Sequence, residues 1–234
     1  MLWAPAALAD QAIEGGVTLA GVAFMAGSGL LHVGYFSALQ RAYEHGDLSV
    51  VYPLARGSGP VLSIAAAILL LGERPSALAL TGALLIVAAV LGLAAGARAG
   101  LAAALTTGAF IAAYTVWDAH AVSGLDQPPV TYLWGSELFR VLILAPFALQ
   151  TDVQAVWRDN RRAIVGVGTL SPLAFVLVLF ALTRAPVSLV APVRESSVVL
   201  GALLGAKVLD EGDPTRRVLA ATAIAIGIAA LALS

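Results

Sequence analysis

Several charged residues stand inside otherwise apolar stretches of this sequence, and three of them are its first candidates for chemistry. Arg56 lies within residues 48–72, and Arg194 and Glu195 lie within residues 188–209. A charged side chain at the centre of a membrane helix costs about 2.5–3.5 kcal/mol, so each calls for a partner or a function. The planar guanidinium fork suits carboxylate and phosphate groups. We therefore predict that Arg56 and Arg194 bind an anionic group of a small-molecule substrate.

Each of these charges also has a structural alternative, which is pairing inside the protein. Carboxylates are available to Arg194 at Glu195, Glu137 and Asp118, whereas the apolar stretch around Arg56 contains no acidic residue. Glu195 is a candidate for carrying a proton, and a permanent ion pair with an arginine is its alternative. Two further acids, Glu73 and Glu211, stand at predicted turns, where helix capping or a loop ion pair is the expected role.

Aromatic and polar side chains on neighbouring stretches are candidates to complete a binding pocket: His32, Tyr35, Tyr52, Tyr114, Trp117 and Ser171. Each has a structural alternative as well. Tyr and Trp near helix ends are commonly anchors at the membrane interface, which suits Trp3, Trp134 and Trp157, with Tyr132 a weaker candidate. A single histidine is more often a hydrogen-bonded core residue than a ligand.

Proline and glycine cluster around both arginines. Proline removes a backbone donor and kinks or breaks a helix, so the stretch 53–60 predicts irregular helix. Irregular backbone at membrane depth is tolerated where it faces protein or a cavity. We expect this feature to act as a hinge, with the candidate residues Pro53, Gly57, Gly59, Pro60 and Pro192.

The charge and hydropathy of the chain indicate the class of protein in which these residues are placed. The 234 residues include only 13 basic and 14 acidic ones, 60% are hydrophobic, and the mean hydropathy is +0.92. Soluble domains carry about 25% charged residues, so this chain cannot cover a water-facing surface. The net charge of −1 offers no basic field to a nucleic acid, and without cysteine there is no thiolate metal site. The sequence predicts an integral membrane protein without cofactor or metal.

Charge-poor windows indicate an all-α, polytopic membrane protein of eight helices. A bilayer core of about 30 Å needs roughly 20 mostly apolar residues per helix. Turn-forming residues separate the windows, and the short links predict antiparallel neighbours. We expect the helices near residues 17–40, 48–72, 76–97, 99–121, 130–150, 163–183, 188–209 and 215–233.

The sequence also repeats itself. Residues 52–56 (YPLAR) are echoed by residues 191–194 (APVR), and residues 71–76 by residues 209–215, in the same order and at a similar spacing. The second copy holds five predicted helices. An odd number of helices turns the two copies in opposite directions, and inverted repeats with a central binding site are a recurrent transporter design.

The residues 51–60 (VYPLARGSGP), followed by 69–75 (LLLGERP), resemble the fourth-helix signature of the drug/metabolite transporter superfamily, EamA type. The stretch from Ala191 to Glu211 resembles the same element of the second half. The resemblance implies two inverted repeats, at residues 1–97 and 98–234, in a multi-pass protein of the inner (plasma) membrane. Members usually have ten helices in two repeats of five, so we expect the first repeat in the given sequence to be incomplete by two helices.

The expected function is that of a carrier, not an enzyme, which moves a small anionic or zwitterionic metabolite by alternating access. Proton coupling and a homodimer are open in this interpretation, and no nucleic-acid partner is expected. Two alternatives remain: a membrane-embedded enzyme acting on lipids or isoprenoids, and a membrane assembly subunit that transports nothing. Against the enzyme, the chain contains no acidic metal-binding cluster of the type that such enzymes use.

Overall fold

The computed structural model describes residues 18–45, 48–93, 101–150, 152–194 and 214–234. Within these ranges the chain is helical and contains no strand, which confirms the predicted all-α class. One π-helical turn, His120–Gly124, follows the fourth α-helix. The α-helices are α1 (Leu19–His45), α2 (Leu48–Leu70), α3 (Ala77–Leu93), α4 (Leu101–Ala119), α5 (Pro129–Ala148), α6 (Val153–Leu182), α7 (Val187–Arg194) and α8 (Pro214–Ala232).

The described helices include some with the length of membrane spans, and their surfaces are apolar. Three of them, α1, α5 and α6, are long and apolar enough to cross a bilayer, and α2, α3 and α8 contain shorter apolar segments. Large aliphatic side chains are exposed on their surfaces, for example Leu69 (80%), Val167 (68%) and Leu170 (66%). Such a surface suits contact with lipid rather than with water. The protein is a polytopic membrane protein.

The described residues form two compact units. The first unit includes residues 18–33 and 117–184, and therefore the start of α1, the π-helical turn, α5 and α6. Small residues let the α1 and α5 backbones approach closely. A Cβ atom added to Gly29 would lie 2.9 Å from the Phe139 Cβ and 3.1 Å from the Ser136 carbonyl oxygen, and Gly135 packs against Met25 in the same way.

The second unit includes residues 34–116 and 185–194 together with 214–234. Its apolar core is formed mainly by α3 and α8, where Ile86 and Ile224 are buried. Close backbone approach also shapes this unit. A Cβ added to Gly82 would lie 2.7 Å from the Gly227 carbonyl oxygen, and one added to Gly108 on α4 would lie 3.0 Å from the Ser58 Cβ on α2.

One predicted boundary differs clearly from the structure. The sixth helix begins at Val153, whereas the apolar pattern predicts its start near residue 163. Asp152 caps the earlier start by accepting a hydrogen bond from the Ala155 amide at 3.0 Å, and the backbone leaves helical geometry at Asn160. The first turns are rich in arginine, so a search for apolar stretches cannot detect them.

The proline-rich stretch of α2 also differs from the prediction. The helix runs without a break from Leu48 to Leu70, through both Pro53 and Pro60, where the sequence predicts irregular backbone. Serine side chains add hydrogen bonds here: Ser58 donates to the Ala55 carbonyl at 3.2 Å and Ser63 to the Gly59 carbonyl at 2.8 Å. The hinge role of these residues stays a prediction.

Candidate functional site

The turn after α2 places the side chain of Glu73 at the start of α7. Gly72 has a φ of +70°, a conformation that glycine adopts without strain, and it turns the chain into Glu73. The Glu73 carboxylate accepts hydrogen bonds from the Val187 amide (2.7 Å) and the Ser188 amide (2.9 Å), the first two amides of α7. Glu73 therefore has the predicted capping role, but for a helix 114 residues later in the chain.

The opposite end of α7 carries Arg194. The helix has eight residues, so it spans about 12 Å at 1.5 Å per residue. A carboxylate at its N-terminus and a guanidinium at its C-terminus both match the sign of the helix dipole. Glu73 thus stabilises and positions the short helix that presents Arg194.

Arg194 lies against two side chains of α4. The carbon of its guanidinium group is 5.6 Å from the centre of the Tyr114 ring, and its Nη1 lies 3.5 Å from the Thr115 hydroxyl. Thr115 donates its own hydroxyl hydrogen to the Ile111 carbonyl at 2.6 Å, so it accepts from Arg194. Arg194 is half-buried, and Tyr114 and Thr115 are buried. The structure therefore brings together two predicted site residues, Arg194 and Tyr114, and adds Thr115.

Tyr35 extends this group from α1. Its ring meets the Tyr114 ring edge to face, with 5.8 Å between the ring centres. An arginine over an aromatic face keeps its charge and its planar donor fork, and the attraction is worth about 0.5–2 kcal/mol. We call Arg194, Tyr114, Thr115 and Tyr35 the Arg194 cluster. Chemically, it presents a positioned cation that can bind a carboxylate or a phosphate.

The other predicted site residues of this unit lie on α2 and α7 or outside the described residues. Arg56 is half-buried on α2, in the same unit as Arg194. Tyr52 lies one turn before Arg56 on the same helix. Glu195, Glu211 and the predicted interfacial anchor Trp3 lie outside the described residues. Pro192 lies within α7 and is buried.

His32 belongs to the first unit and not to the unit of Arg194. It is buried, its Nδ1 lies 2.9 Å from the Ser28 carbonyl oxygen, and its ring meets Phe175 edge to face. This environment is that of a hydrogen-bonded core histidine, which is the predicted alternative to a binding role.

A buried pair in the first unit was not predicted. The Tyr132 hydroxyl donates to Asp118 Oδ1 at 2.6 Å, and both residues are buried, with exposed fractions of 0% and 1%. The interpretation of Tyr132 as an interfacial anchor is therefore wrong, because the start of α5 is itself buried. The sequence predicts Asp118 only as a possible partner for Arg194. A carboxylate at the end of the apolar run 99–117 was the available signal.

Two further contacts lie in the same unit. The Trp117 indole donates to the Phe24 carbonyl at 2.8 Å and stacks on the Phe24 ring, with 4.4 Å between the ring centres. On α5, Glu137 and Arg140 form an ion pair at 3.0 Å. The Trp117–Phe24 contact joins α4 to α1 within the unit. The Glu137 carboxylate has its ion-pair partner, Arg140, on its own helix.

The comparisons with known proteins agree with this architecture. The model of the EamA-like transporter family matches residues 98–233, which is more than half of the chain. A solved structure, titled only as the crystal structure of a protein, is similar with a TM-score of 0.73. The similarity covers 98% of this chain and 84% of the other at 20% identity, so it concerns the fold. No curated protein matches the sequence.

Membership follows from the extent of the family match. Proteins of this family are transporters rather than enzymes, and they work in a lipid bilayer on small molecules. The helical fold, the lipid-facing surfaces and the family match all agree with the resemblance that residues 51–75 carry. This chain belongs to the EamA-like transporter family, within the drug/metabolite transporter superfamily.

Proposed function

We propose that this protein is a carrier that moves a small anionic or zwitterionic metabolite across the membrane by alternating access. The family supports transport as such. The observation that carries the choice of substrate charge is the Arg194 cluster, in which a half-buried guanidinium lies over the Tyr114 ring beside the Thr115 hydroxyl. We assign the substrate's anionic group to this guanidinium.

The chemistry of the cluster favours an anion over a cation. Tyr114 and Thr115 are neutral groups, and their contacts orient the guanidinium. Hydrogen bonds to charged groups contribute about 1.5–3 kcal/mol each, and a carboxylate or phosphate can take two of them from one guanidinium. A cationic substrate would be repelled by the same group. Arg56, at the equivalent position of the first repeat, is the second arginine of the proposed site.

We propose two inverted repeats, at residues 1–97 and 98–234, as the basis of alternating access. The family match over residues 98–233 supports the extent of the second repeat. In this scheme the two repeats move against each other at the hinge residues. We place the protein in the inner (plasma) membrane. The Glu195 carboxylate is proposed to couple transport to protons. The hinge candidates are Pro53, Gly57, Gly59, Pro60 and Pro192.

Transport by purified protein in liposomes tests this function. Liposomes with and without the protein are given a panel of radiolabelled amino acids, carboxylates, phosphorylated sugars and organic cations. We expect protein-dependent uptake of at least one anionic or zwitterionic compound, and counterflow when the same compound is loaded inside. Uptake restricted to cations would contradict the assignment of substrate charge, and no uptake across a broad panel would contradict transport of this class.

A further inference from the structure

The sixth helix is longer than a bilayer requires. Its 30 residues, Val153–Leu182, span about 45 Å at 1.5 Å per residue, whereas roughly 20 residues cross a bilayer core about 30 Å thick. Residues 163–182 carry no charge and supply that length. The preceding residues, 153–162, follow α5 after a short link, so they lie at the membrane surface where α5 ends at Ala148.

A kink separates these first turns from the apolar part of the helix. The backbone at Asn160 has a φ of −125° and a ψ of 16°, which is outside helical geometry. The Asn160 side-chain amide donates to the Val156 carbonyl at 3.3 Å, so a side chain contributes a partner to the backbone at the kink. We call residues 153–162 the surface segment.

The surface segment has an exposed apolar face. Val153, Val156 and Trp157 are spaced by three and four residues, so they share one side of the helix. Their exposed fractions are 58%, 44% and 51%. Tryptophan and aliphatic side chains on one face of a charged helix are typical of a segment that lies in the headgroup region of a membrane.

The same segment carries three exposed arginines, Arg158, Arg161 and Arg162. Arg158 pairs with Asp159 at 3.1 Å, and both side chains are exposed. Neither Arg161 nor Arg162 forms an ion pair with another residue that the structure describes. Guanidinium groups donate paired hydrogen bonds to phosphate, and basic residues at a membrane surface are attracted to anionic lipids. The charge of the segment is therefore complementary to a lipid phosphate.

An apolar groove of about 490 Å³ opens on α5 beside the start of the surface segment. It is lined mainly by Val141, Leu144, Ala145, Ala148, Leu149 and Val153. Arg140, at the inner end of this stretch, pairs with Glu137 at 3.0 Å. Eight residues separate Val141 from Leu149, so the groove follows α5 for about 12 Å from the membrane surface inward. This is the direction in which an acyl chain descends from its headgroup.

We propose that the surface segment and the groove together form a binding site for an anionic phospholipid. Arg161 and Arg162, with Arg158 beside them, hold the phosphate, and one acyl chain lies in the groove on α5. The site lies entirely within the first unit and contains no residue of the Arg194 cluster. It does not depend on the proposed transport function.

The chemistry of the site selects among possible ligands. A zwitterionic phospholipid adds an ammonium group, which the same guanidinium groups repel, so an anionic headgroup is favoured. A soluble phosphate compound would satisfy the arginines but leave the apolar groove unused. The side chains in the groove contribute binding only when a hydrocarbon chain covers them.

Native mass spectrometry of the full chain in detergent tests the headgroup. Phosphatidylglycerol and phosphatidylcholine with identical chains are titrated separately, and the Kd of the first bound lipid is measured. We expect phosphatidylglycerol to bind several-fold more tightly. Arg161→Gln combined with Arg162→Gln should weaken its binding by about tenfold or more, the equivalent of about 1.4 kcal/mol, and change phosphatidylcholine little.

Arg74→Gln combined with Arg184→Gln is the matched control, since it removes the same charge from two exposed positions elsewhere in the chain. This control should keep the preference for phosphatidylglycerol. Equal affinity of the wild type for the two lipids would overturn the proposal. So would a preference that survives the loss of Arg161 and Arg162, or one that the control loses to the same extent.

The groove is tested by filling it. Ala148→Trp places a large side chain in the groove, whereas Leu142→Trp places one on an exposed position of α5 outside it. We expect only the first variant to weaken phosphatidylglycerol binding, by several-fold. Equal binding by both variants would overturn the acyl-chain part of the site. Glycerol phosphate that displaces the lipid as well as phosphatidylglycerol does would show a site for phosphate alone and overturn a lipid site.

Tryptophan fluorescence tests the site in the unaltered protein. Phosphatidylcholine nanodiscs receive a small fraction of lipid with brominated acyl chains, which quench nearby tryptophan. We expect brominated phosphatidylglycerol to quench more than brominated phosphatidylcholine, and the excess to disappear in Trp157→Phe. Equal quenching by the two lipids would contradict the site. These measurements use no transported substrate, so a failure of uptake in liposomes leaves their outcome unchanged.

Discussion

Glu73 and Arg194 act at opposite ends of the same short helix. Glu73 accepts hydrogen bonds from the first two amides of α7, and Arg194 is the last residue of this helix. The distance between the ends is about 12 Å, so a change at one end is transmitted by a rigid element of two turns. The position of the proposed anion-binding guanidinium thus depends on a residue that does not touch it.

The first prediction concerns this capping carboxylate. Glu73→Gln keeps one oxygen acceptor but removes the second acceptor and the charge at the N-terminus of α7. We expect a loss of about 1 kcal/mol in the free energy of unfolding, measured by thermal or denaturant unfolding in detergent. Glu44→Gln, at the exposed end of α1, is the control and should change little. Equal stability of the two variants would show that the Glu73 cap contributes nothing.

The second prediction concerns the aromatic ring under Arg194. Tyr114→Leu removes the ring, whereas Tyr114→Phe keeps it and loses only the hydroxyl. Because a cation–π contact contributes about 0.5–2 kcal/mol, we expect the leucine variant to raise the KM of uptake several-fold. The phenylalanine variant should stay near the wild-type value. If both variants raise KM equally, the hydroxyl and not the ring face is the feature that matters.

The third prediction concerns the close approach of α2 and α4. A Cβ at residue 108 would lie 3.0 Å from the Ser58 Cβ and 3.1 Å from the Gly59 amide nitrogen. Gly108→Ala should therefore destabilise the protein by about 1–3 kcal/mol, since one of the helices must shift.

Gly166→Ala in α6 is the matched control for this substitution. A Cβ at Gly166 meets nothing within 4 Å, so this alanine should be neutral or stabilise its helix by up to about 1 kcal/mol. Unfolding of both variants in the same detergent makes the comparison. A Gly108→Ala protein as stable as Gly166→Ala would mean that the two helices are farther apart than described.

The helices could be predicted from the sequence because the bilayer imposes a simple rule of length and polarity. The third helix begins at Ala77 and was predicted from residue 76, and the last was predicted from 215 and begins at Pro214. The rule fails where a helix continues beyond the apolar stretch. The arginine-rich first turns of α6 are such a case. Their helical conformation is evident only from the structure, in which Asp152 caps the helix.

The partners of the polar side chains could be predicted only in part. The charges inside apolar stretches identified Arg194 as a candidate, and the aromatic residues identified Tyr114, but their contact crosses from α7 to α4. The pairs Glu73–Val187 and Asp118–Tyr132 likewise join different elements. The composition of the chain and the spacing of its apolar residues do not specify which helices pack against each other. Tyr132 was misplaced for the same reason: its position near a helix start is visible in the sequence, but its burial is not.

The role of Arg194 in binding an anionic substrate is tested most directly by comparing two arginines. Uptake of the anionic compound identified in liposomes is measured for Arg194→Gln and for Arg184→Gln. Arg184 is exposed in the turn before α7 and is the matched control. We predict that Arg194→Gln lowers kcat/KM by about tenfold or more, the equivalent of about 1.4 kcal/mol, while Arg184→Gln stays near the wild type. Equal uptake by Arg194→Gln and the wild type, with both proteins folded, would contradict the proposed site.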